Sequence, residues 1–405
     1  MDTLNIGIVG LRFGRTWMNG FRHHPRCRLV GLCDLDAGAL ERAASEAGPD
    51  RATERFEEMV ADPGIDAVAV FTPAPLHAEH STALLRVGKH VLSAVPAAVT
   101  EEGCRDIVLA ARASGRIYMM AENWPYEPSV LKAQALYKAG KLGTLYYGEA
   151  EYLHHTESLW FTPDGTPTWR RSFPPLLYPT HGLGPYLHMT GDRFKEVTAH
   201  AVSGEMAPGA DPERSWLELA MLRSERGCLF KLMNSFCNVH PGGHYLSFYG
   251  DRGSFETDRG KKARTVANFW LQGDTPREMT REACTYPSLP DYVQDIGSHA
   301  GPAVLIIDDF VRSIAGDIPV PIGPELSADM TLPGICAQAS IRTGRLYRFR
   351  IRGRGEFLSQ LGWKGGGPVP CTCLDEHIAY FSRIRFLSKL QRGSTLLISG
   401  INVSK

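Results

Sequence analysis

The sequence lacks a net charge: 44 basic and 44 acidic side chains balance over 405 residues. No global field therefore draws the chain to nucleic acid or to an anionic membrane surface, and neither is expected as a partner. Paired cysteines are missing too. Nine are scattered at 27, 33, 104, 228, 237, 284, 336, 371 and 373, an odd number with no CxxC pair, which fits reduced thiols better than a secreted disulfide framework or a zinc site. No uninterrupted apolar run approaches the roughly 20 residues of a membrane-spanning helix. Met1–Asp2 leads into a strand rather than a basic leader, so a cytoplasmic protein with a small-molecule partner is expected. What is present is ordinary globular composition, 43% apolar and 22% charged. The length is too great for one core, and two domains are expected.

Residues 4–9, LNIGIV, form a short apolar strand that meets Gly10 and Gly14; a helical stretch runs through Phe21, and CRLVGLCDLD follows at 27–36. In such a strand, glycine turn, helix and strand, the glycines let the backbone approach a pyrophosphate and the helix N-terminus faces its charge. Arg12 stands where the fingerprint wants its second glycine. It either folds away from the cofactor or lays its guanidinium on the phosphates. Asp34 follows the second strand, where an acidic side chain accepts hydrogen bonds from the adenosine ribose; no arginine follows at once, so NAD is favoured over NADP. The alternative is that Asp34 and Asp36 cap the helix beginning near Ala37.

The α/β alternation continues with helices over 38–47, 54–61, 77–88 and 101–114, and strands over 65–73, 89–96 and 117–123. Parallel strands joined by helices bind ligands outside their carboxyl ends. The candidate NAD site is therefore Gly10, Arg12, Phe13, Gly14, Asp34, Thr72, Pro73, His77, Glu122 and Asn123, with Pro96 nearby. Further on, Tyr152, His154, His155, Trp169, Arg170, Tyr178 and His181 fall in one short stretch; tyrosine and histidine can both donate and accept protons. Adjacent histidines on a strand point to opposite faces, so His154 and His155 are not read as a metal pair. His240 and His244 in HPGGH have no companion carboxylate or thiol and are read as a substrate loop; no metal is expected. Later strands are expected over 215–222, 227–236 and 244–249, and helices over 306–316 and 326–341.

These pieces resemble the Gfo/Idh/MocA family of nicotinamide-dependent sugar oxidoreductases. The similarity lies in the glycine turn at 10–14, DAVAVFTPAPLHAEH at 66–80, GKHVLSAVP at 88–96, GDRGSFE at 250–256 and HAGPAVLIIDDFVRSI at 299–314, and it covers roughly residues 4–345. It implies an α/β chain: a Rossmann domain at 1–123, then an α+β domain at 124–345 on an open, mostly antiparallel sheet, the helix near 326–341 returning to the first domain. A homodimer or homotetramer through that sheet is implied as well. Residues 346–405 form an atypical basic tail with ten Lys/Arg against three Asp/Glu.

Most members carry Glu-Lys-Pro after the fourth strand, the lysine assisting proton transfer at the reacting hydroxyl. Here the tripeptide is Ala94-Val95-Pro96, and valine moves no proton. VPAAVT at 95–100, MMAEN at 119–123, GEAEYLHH at 148–155 and above all YPTHGLGP at 178–185 are similar to glycoside hydrolase family 109, the NAD-dependent α-N-acetylgalactosaminidases, which also have valine at this place. That resemblance implies that Tyr178 and His181 stand over nicotinamide and sugar, with Tyr152 as the tyrosine of the preceding Tyr-x-His segment. The implied reaction is redox-neutral: NAD takes hydride from C3 of a sugar or glycoside, Tyr152 or Tyr178 removes the acidified C2 proton, the C1 substituent leaves, water adds and the hydride returns. No pair of catalytic carboxylates is then needed. His181 holds or deprotonates the oxidised hydroxyl, Arg170 binds substrate oxygens, Trp169 stacks on a sugar face and His154 lies in the substrate site. The loop 156–177 is spelled differently from that branch, which leaves the sugar open. Two other readings stay open: a net sugar or inositol dehydrogenase or epimerase, and a catalytically silent NAD- or sugar-binding protein.

Overall fold

Eleven elements alternate through the first part of the chain: β1 (Leu4–Val9), α1 (Leu11–His23), β2 (Cys27–Cys33), α2 (Ala37–Ala47), β3 (Arg51–Thr53), α3 (Phe56–Ala61), β4 (Ala67–Val70), α4 (His77–Arg86), β5 (His90–Ser93), α5 (Glu101–Ser114) and β6 (Tyr118–Met120). The computed structural model describes residues 3–204, 214–236, 240–275, 277–287, 289 and 300–348. The expected basic tail lies outside them beyond 348, as do Cys237, Cys371 and Cys373. The strands form one sheet in the order β3-β2-β1-β4-β5-β6, parallel at every pairing. All four residues of β4, AVAV, are buried, as befits a strand covered by helices on both faces. This is the doubly wound Rossmann order. The strand expected over 65–73 is trimmed at Val70, three residues before Pro73, and that expected over 117–123 ends at Met120, whose carbonyl accepts the Glu122 N–H in a turn. β3 was not anticipated; three residues are too few to carry a period.

Among the described residues the second sheet has nine strands. After α6 (Pro128–Lys138) come β7 (Leu145–Leu153), α7 (Thr180–Thr190), β8 (Phe194–Ser203), β9 (Ser215–Ser224), β10 (Leu229–Ser235), β11 (Gly243–Gly250), β12 (Gly253–Thr257), β13 (Val266–Leu271), β14 (Thr280–Ala283), α8 (Ala300–Ala315), α9 (Pro324–Thr343) and β15 (Tyr347–Arg348). The order is β14-β13-β12-β11-β7-β10-β9-β8-β15, antiparallel except where β10 runs parallel to β7. The sheet is open and mostly antiparallel, as the resemblance implies. Two helices tie the sheets together. α8 packs on α1 so closely that a Cβ on Gly20 would lie 2.4 Å from Ile307 Cδ1. α9 offers Thr331 Oγ1 to Ala97 N (3.3 Å) and Ser340 Oγ to Ala199 N (3.0 Å). α7 rests on the second sheet through Gly182, where a Cβ would come within 2.4 Å of Leu232 and 2.9 Å of Ala150. No described helix is long and apolar enough to cross a membrane.

Candidate active site

The glycine turn is set by contact as much as by conformation. Gly10 has φ +91°, and a Cβ there would fall 2.5 Å from the Phe71 carbonyl group, so the N-terminus of α1 can sit against the β4 edge only with glycine. Gly14 is similarly confined by Ile8 and the Phe71 ring. Asp34 Oδ2 accepts from Leu11 N (2.5 Å) and Oδ1 from Asp36 N (2.8 Å). Asp36, not Asp34, caps α2 by accepting from Ala39 N. Asp34 thus joins the glycine turn to the end of β2, and each of its oxygens retains a second lone pair for a ribose hydroxyl. Arg12 turns outward to an exposed ion pair with Asp36 (3.5 Å), clear of the turn's backbone. Phe13, partly exposed, packs edge-on against Trp17 and Phe71. His77 is 2% exposed and bridges the β4 and β5 edges: Nε2 lies 2.7 Å from the Thr72 carbonyl and Nδ1 2.7 Å from the Pro96 carbonyl. Both nitrogens are taken, which makes His77 part of the site's wall. A backbone cradle that only glycine allows, a helix N-terminus directed at it and a carboxylate after β2 fit a dinucleotide.

Across from this edge, α7 brings His181 to Glu122, the residue two beyond β6. Nδ1 of His181 lies 2.8 and 3.0 Å from the two carboxylate oxygens. Glu122 is fully buried and accepts from Trp124 N as well. Gly184, one turn along α7, permits the approach: a Cβ there would sit 3.0 Å from Glu122 Cγ. A buried carboxylate against Nδ1 fixes the imidazole with its proton on that nitrogen and leaves Nε2 as a proton acceptor. Glu122 was expected at the cofactor; its carboxylate is engaged by His181 instead. Asn123 follows it, buried, at the start of a single 3-10 turn.

Aromatic rings surround that imidazole. Tyr152 is 5.0 Å and Tyr178 5.4 Å from it between ring centroids, and the two tyrosines are 6.1 Å apart. Burial pushes the phenol pKa of each upward, while the Arg170 guanidinium, hydrogen-bonded to Tyr178, pulls in the opposite direction. Arg170 also lies 4.3 Å over the Trp169 ring, and Trp169 packs edge-on against Phe173 (4.9 Å). His154 lies just past β7, 5.7 Å from Tyr152, with Nδ1 against the His155 carbonyl. The structure therefore gathers Tyr152, Tyr178, His181, Arg170, Trp169 and His154 in one place. Among the described residues no group of three or more His, Cys, Asp or Glu is arranged to hold a metal. His244 joins the cluster from β11, stacked 4.4 Å on Tyr152 and 4.0 Å from Trp124, with a buried Nε2 that has no partner in the described chain. Burial, with His181 next among the causes, drives its pKa well down, so it is a neutral imidazole. Nothing in the spacing of residues 122 and 181, or 152 and 244, signals these contacts.

Residues 4–122 match the Gfo/Idh/MocA family, described as an oxidoreductase family with an NAD-binding Rossmann fold. The match lies on the six-stranded parallel sheet and its helices. The cofactor of the chain is NAD, and the chain is an enzyme of the NAD-dependent oxidoreductase type. A glycosyl hydrolase family 109 protein of Solibacter usitatus is 26% identical over 381 residues, a match spanning 84% of this chain and 86% of the relative. Another, from Saccharopolyspora erythraea, is 27% identical over 290 residues, and the chain spans 63% of its length. Among solved structures, levoglucosan dehydrogenase in complex with NADH and L-sorbose superimposes with a TM-score of 0.75 at 19% identity, covering 86% of this chain and 99% of that one. At that identity it shares the fold of the whole two-sheet unit.

Proposed function

We propose that this Gfo/Idh/MocA enzyme acts on a sugar or glycoside, abstracting hydride at C3 and cleaving the glycosidic bond by elimination and water addition. The observation that carries the reading is the His181–Glu122 pair beside the buried Tyr152 and the partly buried Tyr178, in a chain whose family lysine is replaced by Val95, only 6% exposed. When bound, NAD supplies the site that takes the C3 hydride and later returns it. His181 Nε2 accepts the proton of the C3 hydroxyl, and the Glu122 carboxylate orients the ring and offsets the charge it gains. With a carbonyl at C3 the C2 proton becomes acidic. Tyr178 is the base for it: burial raises its phenol, and Arg170, hydrogen-bonded to it, offsets part of that rise and stabilises the oxygen as its proton leaves; Tyr152, without that hydrogen bond, donates to the leaving C1 oxygen. Trp169 and Arg170 hold the sugar face and its oxygens. The names of the Solibacter and Saccharopolyspora relatives support the glycosidase assignment.

A second reading, a net sugar dehydrogenase, is favoured by the likeness to levoglucosan dehydrogenase. Incubation with a glycoside panel in heavy water separates the two. Product release with catalytic NAD and deuterium at C2 supports elimination; stoichiometric NADH without cleavage supports net oxidation; NAD binding with no turnover of any sugar leaves a silent binding protein. A cytoplasmic homodimer or homotetramer, joined through the outer face of the nine-stranded sheet, belongs to the same proposal. Sedimentation as a monomer removes that part.

A further inference from the structure

Four residues from four adjacent strands stand in one row across the second sheet. Glu218 of β9 pairs with Asn234 of β10, Asn234 with Tyr152 of β7, and Tyr152 with His244 of β11. Side chains in lateral register share a face, so this is a polar row beneath the segment that carries Tyr178 and His181. Its two halves touch different things. Tyr152 and His244 pack on the His181 ring, at 5.0 and 5.7 Å. Glu218 and Asn234, both fully buried, grip backbone: Glu218 Oε2 accepts from Leu176 N (2.6 Å) and from Gln338 Nε2 of α9 (2.6 Å), and Asn234 Nδ2 donates to the carbonyls of Pro175 and Tyr178 (2.9 Å each).

The gripped segment has few means of holding itself. Prolines at 174, 175 and 179 remove three N–H groups. Its own turn makes the bonds Leu177 N to the Pro174 carbonyl and Tyr178 N to the Pro175 carbonyl. A carboxylate and an amide at zero exposure are costly in place of apolar residues, and here they fix one turn at three backbone atoms. We infer that Glu218 and Asn234 are positioning residues: the cross-strand pair sets where Tyr178 and His181 stand relative to the cofactor edge. The inference rests on the catalytic reading of Tyr178 and His181 given above.

Asn234→Asp is the informative change, isosteric, donating to neither carbonyl as the carboxylate and to one only when protonated; Asn234→Ser, which can reach one, is the milder companion should the first not fold. Three quantities are read on the full chain: single-turnover hydride transfer, NADH affinity by fluorescence, and the downfield imidazole N–H proton resonance of His181, recognised by its loss in His181→Ala. Asn234→Asp is expected to slow hydride transfer about 10²-fold, the cost of misplacing a reacting group by about an ångström, with NADH affinity unchanged and the His181 resonance shifted or lost. Asn234→Ser is expected in between. Glu218→Gln, which keeps an acceptor for Leu176 N, should restore the resonance and most of the rate that Glu218→Leu loses. A folded Asn234→Asp or Asn234→Ser with wild-type rate and resonance overturns the inference. Should the wild type turn over no sugar, the catalytic reading fails while the resonance alone still decides whether the pair positions His181.

Discussion

Replacing Glu122 by glutamine tests the centre of the proposed chemistry with almost no change in shape. In the wild type, Oε1 accepts from both Trp124 N (3.0 Å) and His181 Nδ1 (2.8 Å), and Oε2 lies 3.0 Å from the same nitrogen. Glutamine can keep only one acceptor. If its oxygen stays on Trp124 N, its amide N–H groups face Nδ1, and relief requires the imidazole proton to move to Nε2. That turns the proton acceptor into a donor. If the amide flips, Trp124 N loses its acceptor in a site without solvent. In either arrangement the negative charge that offsets an imidazolium is gone. The expected loss in hydride transfer is about 10²–10⁴-fold, the range for losing a general acid–base group, or about 3–5 kcal/mol in the barrier. NADH affinity should change little, because the cradle at Gly10 and Asp34 is untouched. The assay is stopped-flow absorbance of the dihydronicotinamide on mixing the NAD-loaded enzyme with sugar. Glu122→Gln, His181→Ala and the double variant should be almost equally slow, since the two residues act as one unit. A Glu122→Gln enzyme within about threefold of wild type, well short of the acid–base range, would refute the dyad.

Three other outcomes follow from the same geometry. Asp34→Asn should weaken NAD binding and cost part of the stability, because its one amide oxygen can accept from Leu11 N or Asp36 N but not from both; Asp34→Ala should lose more, with about 1 kcal/mol of stability for each lost cap-like bond, and a binding isotherm unchanged in both variants argues against a ribose contact. Val95→Lys should lower the melting temperature by burying an amine, at a cost of about 1–3 kcal/mol, without rescuing His181→Ala; recovered turnover in that double variant would show that the site still accommodates a lysine. Burial raises the Asp329 carboxyl from 3.8 to about 7 despite its ion pair with Arg193. The folded state then holds a proton the unfolded state has released, so stability falls as pH rises between about 4 and 7. Asp329→Asn should flatten that part of a denaturation-against-pH curve, and an unchanged slope assigns it to other groups.

The local sequence determined the first domain almost element by element. Apolar runs bounded by glycine and proline, helices of 3.6 periodicity between them and an acidic residue after β2 are short-range features, and a doubly wound sheet is built from such repeats. The pieces around YPTHGLGP likewise marked where reactive side chains lie along the chain, since proline and glycine constraints are readable without neighbours. What those side chains touch was decided by tertiary structure. His181 meets Glu122 because α7 crosses from the second sheet to the end of β6. Tyr152, Asn234, Glu218 and His244 share a row only because β10 inserts parallel to β7 between strands that are distant in sequence. An alternating strand such as EAEYL reveals which residues share a face, but not which strand comes to lie beside it or which turn comes to rest on that face. Those depend on strand order and on the close approach allowed at Gly182 and Gly184, whose glycines read locally as flexibility and in the folded chain serve as points of contact.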